Sequence, residues 1–416
     1  MSDPPERSVD WTLLPEGLLG SVLQKLPSVH DYVRFASVCK NWLTVARHQS
    51  NERLGDATRR QLPLLLMPTA DNSETHRALY DVARGRVLGS RWHVPYNMRC
   101  CGSSFGWLIF AEETLELILF NPSFGETIRL PRVIRPPTKE EIGDSYYNHE
   151  YEFAKVVLSA DPSMAPDTYE VAVLNELTGS ILFFRSGDEV WLNIGTPEED
   201  GQFQDIIYYR GRLYATNGRG LVLSFEFHRG DNHPKDSSAL ARTIADLTLR
   251  GDPDKSYLAE SLSGHLLLVR RFMNDYLSGF AGGVFEIGGN EYKFDSDKQP
   301  LTSSFHVYKL IPVTEDEHGL GHCHSKRLTM LADEALFLGH CHSMSVSASE
   351  YPGCKPNSVY FMDDYLDDPP PYQPLGAIDI GVFSLEDEHI ERLNLIDPSQ
   401  SHMPPPIWIA PKAKIS

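Results

Sequence analysis

The chain has 416 residues and a net charge of −19, with 57 acidic residues against 38 basic ones. This length allows one to three domains, and a hydrophobic fraction of 41% is ordinary for a folded protein. Because an acidic surface repels phosphate backbones and anionic headgroups, the charge argues against binding to bulk nucleic acid or to membranes.

A helical head is predicted over residues 9–50, after a polar tail at residues 1–8 that contains two prolines. Pro15 and Glu16 suit the first turn of a helix, and leucine and valine side chains then recur at i, i+4 and i+8. Two further short helices follow, the last one around Trp42. Three short helices make too small a core to be stable alone, so a partner or a neighbouring domain should complete it.

After a polar linker at residues 51–61 the periodicity changes from helical to strand-like. Short apolar or alternating runs recur over residues 62–411, separated by Gly, Pro, Asn and Asp turns. Roughly two dozen such runs exceed what a sandwich needs and suit a propeller of four-stranded blades. The predicted fold is therefore a small all-α head followed by an all-β propeller of six or seven blades.

The ends of this propeller are predicted to meet. In ring folds the two ends of the chain usually share a blade, so that no long strand edge is left unpaired. We therefore expect a strand near residues 62–67 to pair with a segment from residues 377–411. Three stretches read as loops, namely 131–150, 228–240 and the acidic, proline-rich 362–374.

The compartment is predicted from the cysteines and from the N-terminal segment. The six cysteines are irregularly spaced and too sparse for a disulfide-built scaffold. The first residues have neither the basic start nor the apolar run of a signal peptide, and no apolar stretch reaches the ~18 residues of a membrane span. These features predict a protein of the cytosol or nucleus.

Histidines and cysteines concentrate between residues 318 and 342, but not at the paired spacing of a structural zinc site. We expect strand and loop histidines with buried thiols, and no metal. The cluster consists of His318, His322, Cys323, His324, His340, Cys341 and His342.

Four aspartates near residue 365 offer carboxylates of the kind that calcium binds. They lack the glycine and glutamate positions of an EF-hand loop, so a solvated acidic loop is predicted. The four aspartates are Asp363, Asp364, Asp367 and Asp368.

The sequence contains none of the local signatures GxSxG, HExxH or GxxxxGK[ST], so we predict no catalytic residue and no cofactor.

The string WTLLPEGLLGSVLQKLPSVHDYVRFASVCKNWLTVAR in the head resembles the F-box motif. It shares the Leu-Pro start, the leucine stripe of the first helix, the Asp31/Arg34 pair and the Val-Cys-x-x-Trp ending. The resemblance implies docking onto a Skp-type subunit of a cullin–RING ubiquitin ligase. The alternative is a self-contained helical cap packed on the propeller. The docking residues implied are Leu14, Pro15, Leu18, Leu19, Val22, Val33, Val38, Cys39 and Trp42.

Segments over nearly the whole of residues 62–411 resemble the plant F-box proteins that carry a KIB-type β-propeller. Examples are FNPSFGETIRLP, DIIYYRGRLYA and DIGVFSLEDEHIERL. The stretch 306–339 departs from the family pattern, because a His/Cys-rich insert replaces the usual Trp-centred strand. The local geometry of that blade is therefore left open.

The two resemblances together imply a non-catalytic substrate receptor of an SCF-type E3 ligase. The head would bind the Skp-type subunit, and through it the cullin–RING ligase, while the propeller would bind a target protein that the sequence does not identify. Skp-type subunits are acidic in this family, so basic head residues would assist encounter. An F-box scaffold acting outside ubiquitination, and less readily a propeller enzyme, remain the alternatives. The basic residues are Lys25, Arg34, Lys40 and Arg47.

Overall fold

The structure is a computed structural model, and the predicted tail at 1–8, the linker at 51–61 and Val33 lie outside the residues it describes. Among the described residues, no helix is long and apolar enough to cross a membrane. The residues described are 11–23, 25, 35–36, 38–46, 63–68, 76–82, 85–93, 98–112, 116–121, 125–133, 153–175, 179–194, 201–228, 238–248, 253–273, 284–287, 290–293, 301–313, 315–316, 319–351, 353–362, 364, 379–393 and 406–409.

The head begins with a 3-10 turn at Trp11–Leu13 and an α-helix at Glu16–Leu23. Pro15 directly precedes this helix, and its carbonyl accepts hydrogen bonds from the backbone N–H groups of Leu18 and Leu19, both at 3.0 Å. A proline suits this position because the first N–H groups of a helix have no partner inside the helix. Residues 40–46 form a further helical segment.

From residue 64 onwards, the described strands form a ring of six blades. The sequence predicted six or seven blades, and the structure has the smaller number. Blades 2 to 5 are four-stranded antiparallel meanders whose first strand is innermost, and the inner strands of neighbouring blades touch. Their strands, from the inside outwards, are Met98–Ser104, Trp107–Glu112, Leu117–Asn121 and Glu126–Arg129 in blade 2; Phe153–Leu158, Glu170–Asn175, Ile181–Arg185 and Leu192–Ile194 in blade 3; Phe203–Tyr209, Arg212–Asn217, Leu221–His228 and Ser238–Asp246 in blade 4; and Lys255–Glu260, Leu266–Met273, Thr302–Pro312 and Cys323–Leu328 in blade 5.

The inner strand of blade 3, Phe153–Leu158, is covered on both faces. All six of its residues are buried, and this explains why its apolar residues do not alternate with polar ones. Two short hairpins lie outside the blade sheets within the described chain, formed by Val284–Ile287 with Asn290–Lys293 and by Glu315–Asp316 with Gly319–Leu320.

Blade 1 closes the ring, as predicted. Its innermost strand is Ile407–Ile409, which pairs antiparallel with Leu64–Pro68, so that Leu65 lies opposite Trp408. The indole of Trp408 is buried and donates from Nε1 to the Leu338 carbonyl of blade 6 at 2.9 Å. The outer strands of blade 1 are His76–Asp81 and Arg86–His93.

Blade 6 departs from the meander. Glu334–Leu338 pairs in parallel with Ser358–Phe361, because the strand between them in the chain, Met344–Ser347, turns back to the innermost position. The departure begins inside the stretch 306–339, where the sequence left the blade geometry open. The outer strands of this blade are Gly381–Ser384 and Ile390–Arg392, and a 3-10 turn lies at Ala348–Glu350.

A fully buried arginine joins blades 5 and 6. The guanidinium of Arg271 donates to the carboxylates of Asp364 at 2.7 Å and Asp379 at 2.6 Å, both contributed by blade 6. It also donates to the hydroxyls of Thr302 at 2.7 Å and Tyr257 at 3.0 Å within blade 5. The planar fork of an arginine allows this many directed contacts from one side chain.

The burial of Asp364 corrects the expectation of a solvated acidic loop. Asp364 is 3% exposed, whereas the other three aspartates of that group lie outside the described residues. The sequence could not show this, because the cationic partner Arg271 is 93 positions away along the chain.

Replacing Arg271 by lysine is expected to lower the free energy of unfolding by roughly 2–3 kcal/mol, although the charge is kept. An ammonium group cannot reproduce the fork, so buried carboxylate and hydroxyl groups lose partners. Denaturant midpoints measure the effect. The matched control is Arg327→Lys, whose side chain is 45% exposed and 3.9 Å from Glu388. Equal midpoints for the two variants would contradict this account.

Candidate docking site

The head has a small core of its own. Leu19 and Leu23 project inwards from the α-helix and are fully buried. The Trp42 ring packs at 4.5 Å from the ring of Phe35. The buried residues of this core are Leu19, Leu23, Phe35, Ala36, Val45 and Ala46.

The helical segment 40–46 holds the start of the head in place. The amide of Asn41 donates to the carbonyls of Thr12 at 3.3 Å and Leu14 at 3.4 Å. The indole of Trp42 donates to the carbonyl of Trp11 at 3.1 Å. These hydrogen bonds hold residues 11–14, which precede the α-helix, in place. Residues 11–14 themselves contribute few side chains to the core of the head.

Among the described residues of the head, five large apolar side chains remain open to solvent, and we call them the exposed apolar set. Such side chains are unfavourable in water, and several of them within one small module indicate an interaction surface. Leu18 and Val22 are one helical turn apart, on a different side from the inward Leu19 and Leu23. The set is Trp11 (63% exposed), Leu13 (77%), Leu18 (55%), Val22 (42%) and Val38 (51%).

Eight of the nine docking residues predicted from the sequence are described, and they fall into three groups by burial. Pro15, Leu18, Val22 and Val38 are exposed; Leu14, Cys39 and Trp42 are half-buried; Leu19 is buried, and Val33 is not described. Their role in docking stays a prediction. Leu19 acts in the head's own core, so it would support a docking surface from beneath.

Sequence reasoning missed two members of the exposed apolar set, Trp11 and Leu13. A usable signal was present, because Trp11 and Leu13 are large apolar residues within the four positions before Pro15. The basic residues Lys25 and Lys40 are exposed, whereas Arg34 and Arg47 lie outside the described residues. Their part in the encounter with a Skp-type subunit stays a prediction.

The His/Cys-rich region 318–342 is divided between two places. His322 and His324 are exposed beside the buried Cys323 at the outer strand of blade 5. Cys341 instead donates from Sγ to the carbonyl of Cys100 in blade 2, at 3.0 Å. No group of three or more metal-ligating side chains suited to an ion occurs among the described residues.

Two family models match the chain. The F-box domain matches residues 11–54, and the KIB1-4 beta-propeller matches residues 79–384. An F-box head joined to a propeller is an adaptor architecture, and the F-box indicates binding to Skp-type subunits of SCF ligases. Because the propeller model covers more than half of the sequence, the chain belongs to the F-box proteins with a KIB1-4 β-propeller.

Relatives in Arabidopsis thaliana extend over most of the chain. The putative F-box protein At1g65770 is 26% identical over 377 residues, covering 86% of this chain and 90% of that protein. The putative F-box protein At3g25750 is 25% identical over 411 residues, covering 95% and 97%. The β-propeller domain of Cps50 (Swd1) from Myceliophteria thermophila aligns with a TM-score of 0.33 and 10% identity over 78% of this chain and 81% of that one, a likeness too slight for a functional argument.

Proposed function

We propose that this protein is a substrate receptor of an SCF-type ubiquitin ligase, acting in the cytosol or nucleus, with the head bound to the Skp-type subunit and the propeller bound to a target protein. The observation that carries the proposal is the exposed apolar set. A head that buries Leu19 and Leu23 while leaving Trp11, Leu13 and Leu18 open needs a second apolar surface to cover it.

Charge supports the same division of roles. Residues 9–61 hold seven basic and five acidic residues, a net charge of +2, so the remainder carries −21. A slightly basic head favours encounter with an acidic Skp-type subunit, and Lys25 and Lys40 are exposed for this purpose. The acidic remainder favours a target with a basic patch, so target affinity should fall as salt rises.

The receptor role is tested by deleting residues 1–50. The shortened protein should still bind its target, since the clusters of buried residues in the propeller are separate from that of the head. It should no longer support ubiquitination, so target abundance in cells should rise. The measurement is the target half-life with the full-length chain and with the shortened one, beside a pull-down at two salt concentrations.

Two outcomes separate this proposal from its rivals. Target turnover that is as fast with the shortened chain as with the full-length one would show that the head does not connect the target to a ligase. A full-length chain that binds the Skp-type subunit but never co-purifies a cullin would favour the scaffold alternative, because the rest of the ligase would then be missing.

A further inference from the structure

The exposed apolar side chains of the propeller lie at one end of the ring. Blades 2 to 5 each begin with the inner strand, so these four strands finish at the same end, which we call the lower face. Among the described residues outside the head, every large apolar side chain that is exposed lies at the lower face, in the turns or at the strand ends there. Blades 1, 3 and 4 contribute Val87, Met164, Val190 and Leu240.

Four more of these side chains lie where blades 5 and 6 meet, and we call them the lower apolar patch. Ile311 and Val313 are two positions apart at the end of the third strand of blade 5, so they face the same side of it. That side faces blade 6, because Val307 lies on it and packs in one buried cluster with Leu336 of blade 6. The lower apolar patch consists of Leu262, Ile311, Val313 and Met330.

The loop from blade 5 to blade 6 brings Met330 close to Leu262. The backbone N–H of Leu262 donates to the carboxylate of Glu334 at 2.8 Å, and the N–H of Glu334 donates to the carbonyl of Leu331 at 3.0 Å. Met330 directly precedes Leu331, and its side chain is exposed whereas that of Leu331 is buried. Two neighbouring turns therefore each present a large apolar side chain to water.

Carboxylates border the lower apolar patch on the side of blade 6. Asn357 accepts on Oδ1 from the N–H of Leu331 at 2.7 Å, and its carbonyl accepts from the N–H of Leu385 at 3.0 Å, so the turn after Leu385 lies beside the loop that carries Met330. The exposed carboxylates on this side are Asp333, Glu350, Glu386, Asp387 and Glu388. The cations Lys309, Lys326 and Arg327 belong to blade 5, and Lys355 of blade 6 is paired with Glu391.

The chain from the head also enters the ring at the lower face. Leu64 begins its strand opposite Ile409, which ends the innermost strand of blade 1, so both lie at the end where inner strands finish. A target segment held at the lower face would therefore lie on the side of the ring to which the head is joined. This arrangement suits delivery of the target to a ligase.

We propose that the lower apolar patch binds an extended segment of the target, in which large apolar side chains are flanked by lysines or arginines. The proposal rests on the receptor role proposed above. Apolar side chains of the segment would cover the patch, and the flanking cations would face the carboxylates of blade 6. Ile311 and Val313 stand two positions apart on a strand, which matches the spacing of side chains on one face of an extended partner.

The first test titrates the full-length chain into a fluorescent synthetic peptide, Lys-Lys-Leu-Ser-Leu-Lys-Lys, and follows its anisotropy. We expect saturable binding that weakens as salt rises. Two control peptides, one with glutamate in place of every lysine and one with serine in place of every leucine, should each bind at least about tenfold more weakly. No saturable binding up to about 1 mM, or equal binding of all three peptides, would overturn the proposal.

A chain carrying Leu262→Ser and Met330→Ser is expected to bind the lysine-flanked peptide at least about tenfold more weakly, because two apolar contacts are lost. The matched control carries Val87→Ser and Leu240→Ser, which are equally exposed at other blades of the lower face, and should bind like the unaltered chain. All four side chains are exposed, so both variants should keep the melting temperature. Equal affinities for the two variants would overturn the assignment.

Other occupants of the lower apolar patch give different results. Tighter peptide binding after deletion of residues 1–50 would mean that the head covers the patch, and a dimer that only Leu262→Ser with Met330→Ser disperses would mean that a second copy does. Either result would overturn the proposal. Binding to the Skp-type subunit is measured on the same samples. Lost peptide binding with intact Skp-type binding overturns only this inference, whereas absent Skp-type binding by the unaltered chain overturns the receptor role.

Discussion

A chain carrying Leu18→Glu and Val38→Glu is expected to lose co-elution with a Skp-type subunit in size exclusion. Both side chains are about half exposed in the isolated chain, so the changes place two charges on the exposed apolar set without disturbing the head's own core. Apolar anchors at the centre of an interface are typically worth ~2 kcal/mol or more each. Losing two should weaken docking by about a thousandfold.

The control for this experiment is Thr44→Glu, which adds the same charge at an exposed polar position of the helical segment 40–46. It should co-elute like the unaltered chain. Trp42→Ala is less informative, because Trp42 also packs on Phe35 and donates to the Trp11 carbonyl. Full co-elution of the doubly charged variant would place the docking surface elsewhere.

Trp408→Ala is expected to cost the propeller roughly 3–5 kcal/mol of stability, the usual range for emptying a large buried aromatic site. Trp408 is 1% exposed, and its ring stands edge-on to Phe337 of blade 6 with centroids 5.0 Å apart. The change also removes the indole hydrogen bond to the Leu338 carbonyl. Because domains are stable by only about 5–15 kcal/mol, the loss should be visible as a large drop in denaturant midpoint.

The same substitution at Trp11 is the matched control, since that side chain is 63% exposed. The Trp42 indole donates to the backbone carbonyl of Trp11, so alanine at position 11 keeps this hydrogen bond. Trp11→Ala should leave the midpoint unchanged. If Trp408→Ala were equally harmless, the strand Ile407–Ile409 would not be what closes the ring.

Much of the fold could be predicted because the signals are local. Strand-length apolar runs and turn residues indicated the propeller. The absence of free edges in a ring indicated that a strand near residues 62–67 pairs with a segment from residues 377–411, and the structure pairs Leu64–Pro68 with Ile407–Ile409. The geometry of blade 6 could not be predicted. Strands joined by short connections usually form a meander, in which each strand pairs with the next one along the chain. The innermost position of Met344–Ser347 depends on how the whole ring packs, and local sequence does not show this.

The docking residues show the same limit. Two adjacent apolar stripes, Leu18 with Val22 and Leu19 with Leu23, are equally good by helical spacing. Which stripe turns inwards depends on Phe35 and on helical residues further along the chain. Buried charges were hidden for a related reason, because Arg271 and Lys155 sit in strands whose apolar neighbours dominate the pattern.

The closing strand has a consequence for the order of events during synthesis. The ribosome makes Leu64–Pro68 early, but the partner strand Ile407–Ile409 follows only after the other five blades. At about 5–20 residues per second the first blade waits on the order of 20–70 s with an open edge. The head needs no such wait, because its core forms from neighbouring helices. Under the proposed function, a chain whose translation stops short of residue 407 presents a finished head on an open ring, and would occupy Skp-type subunits without delivering a target.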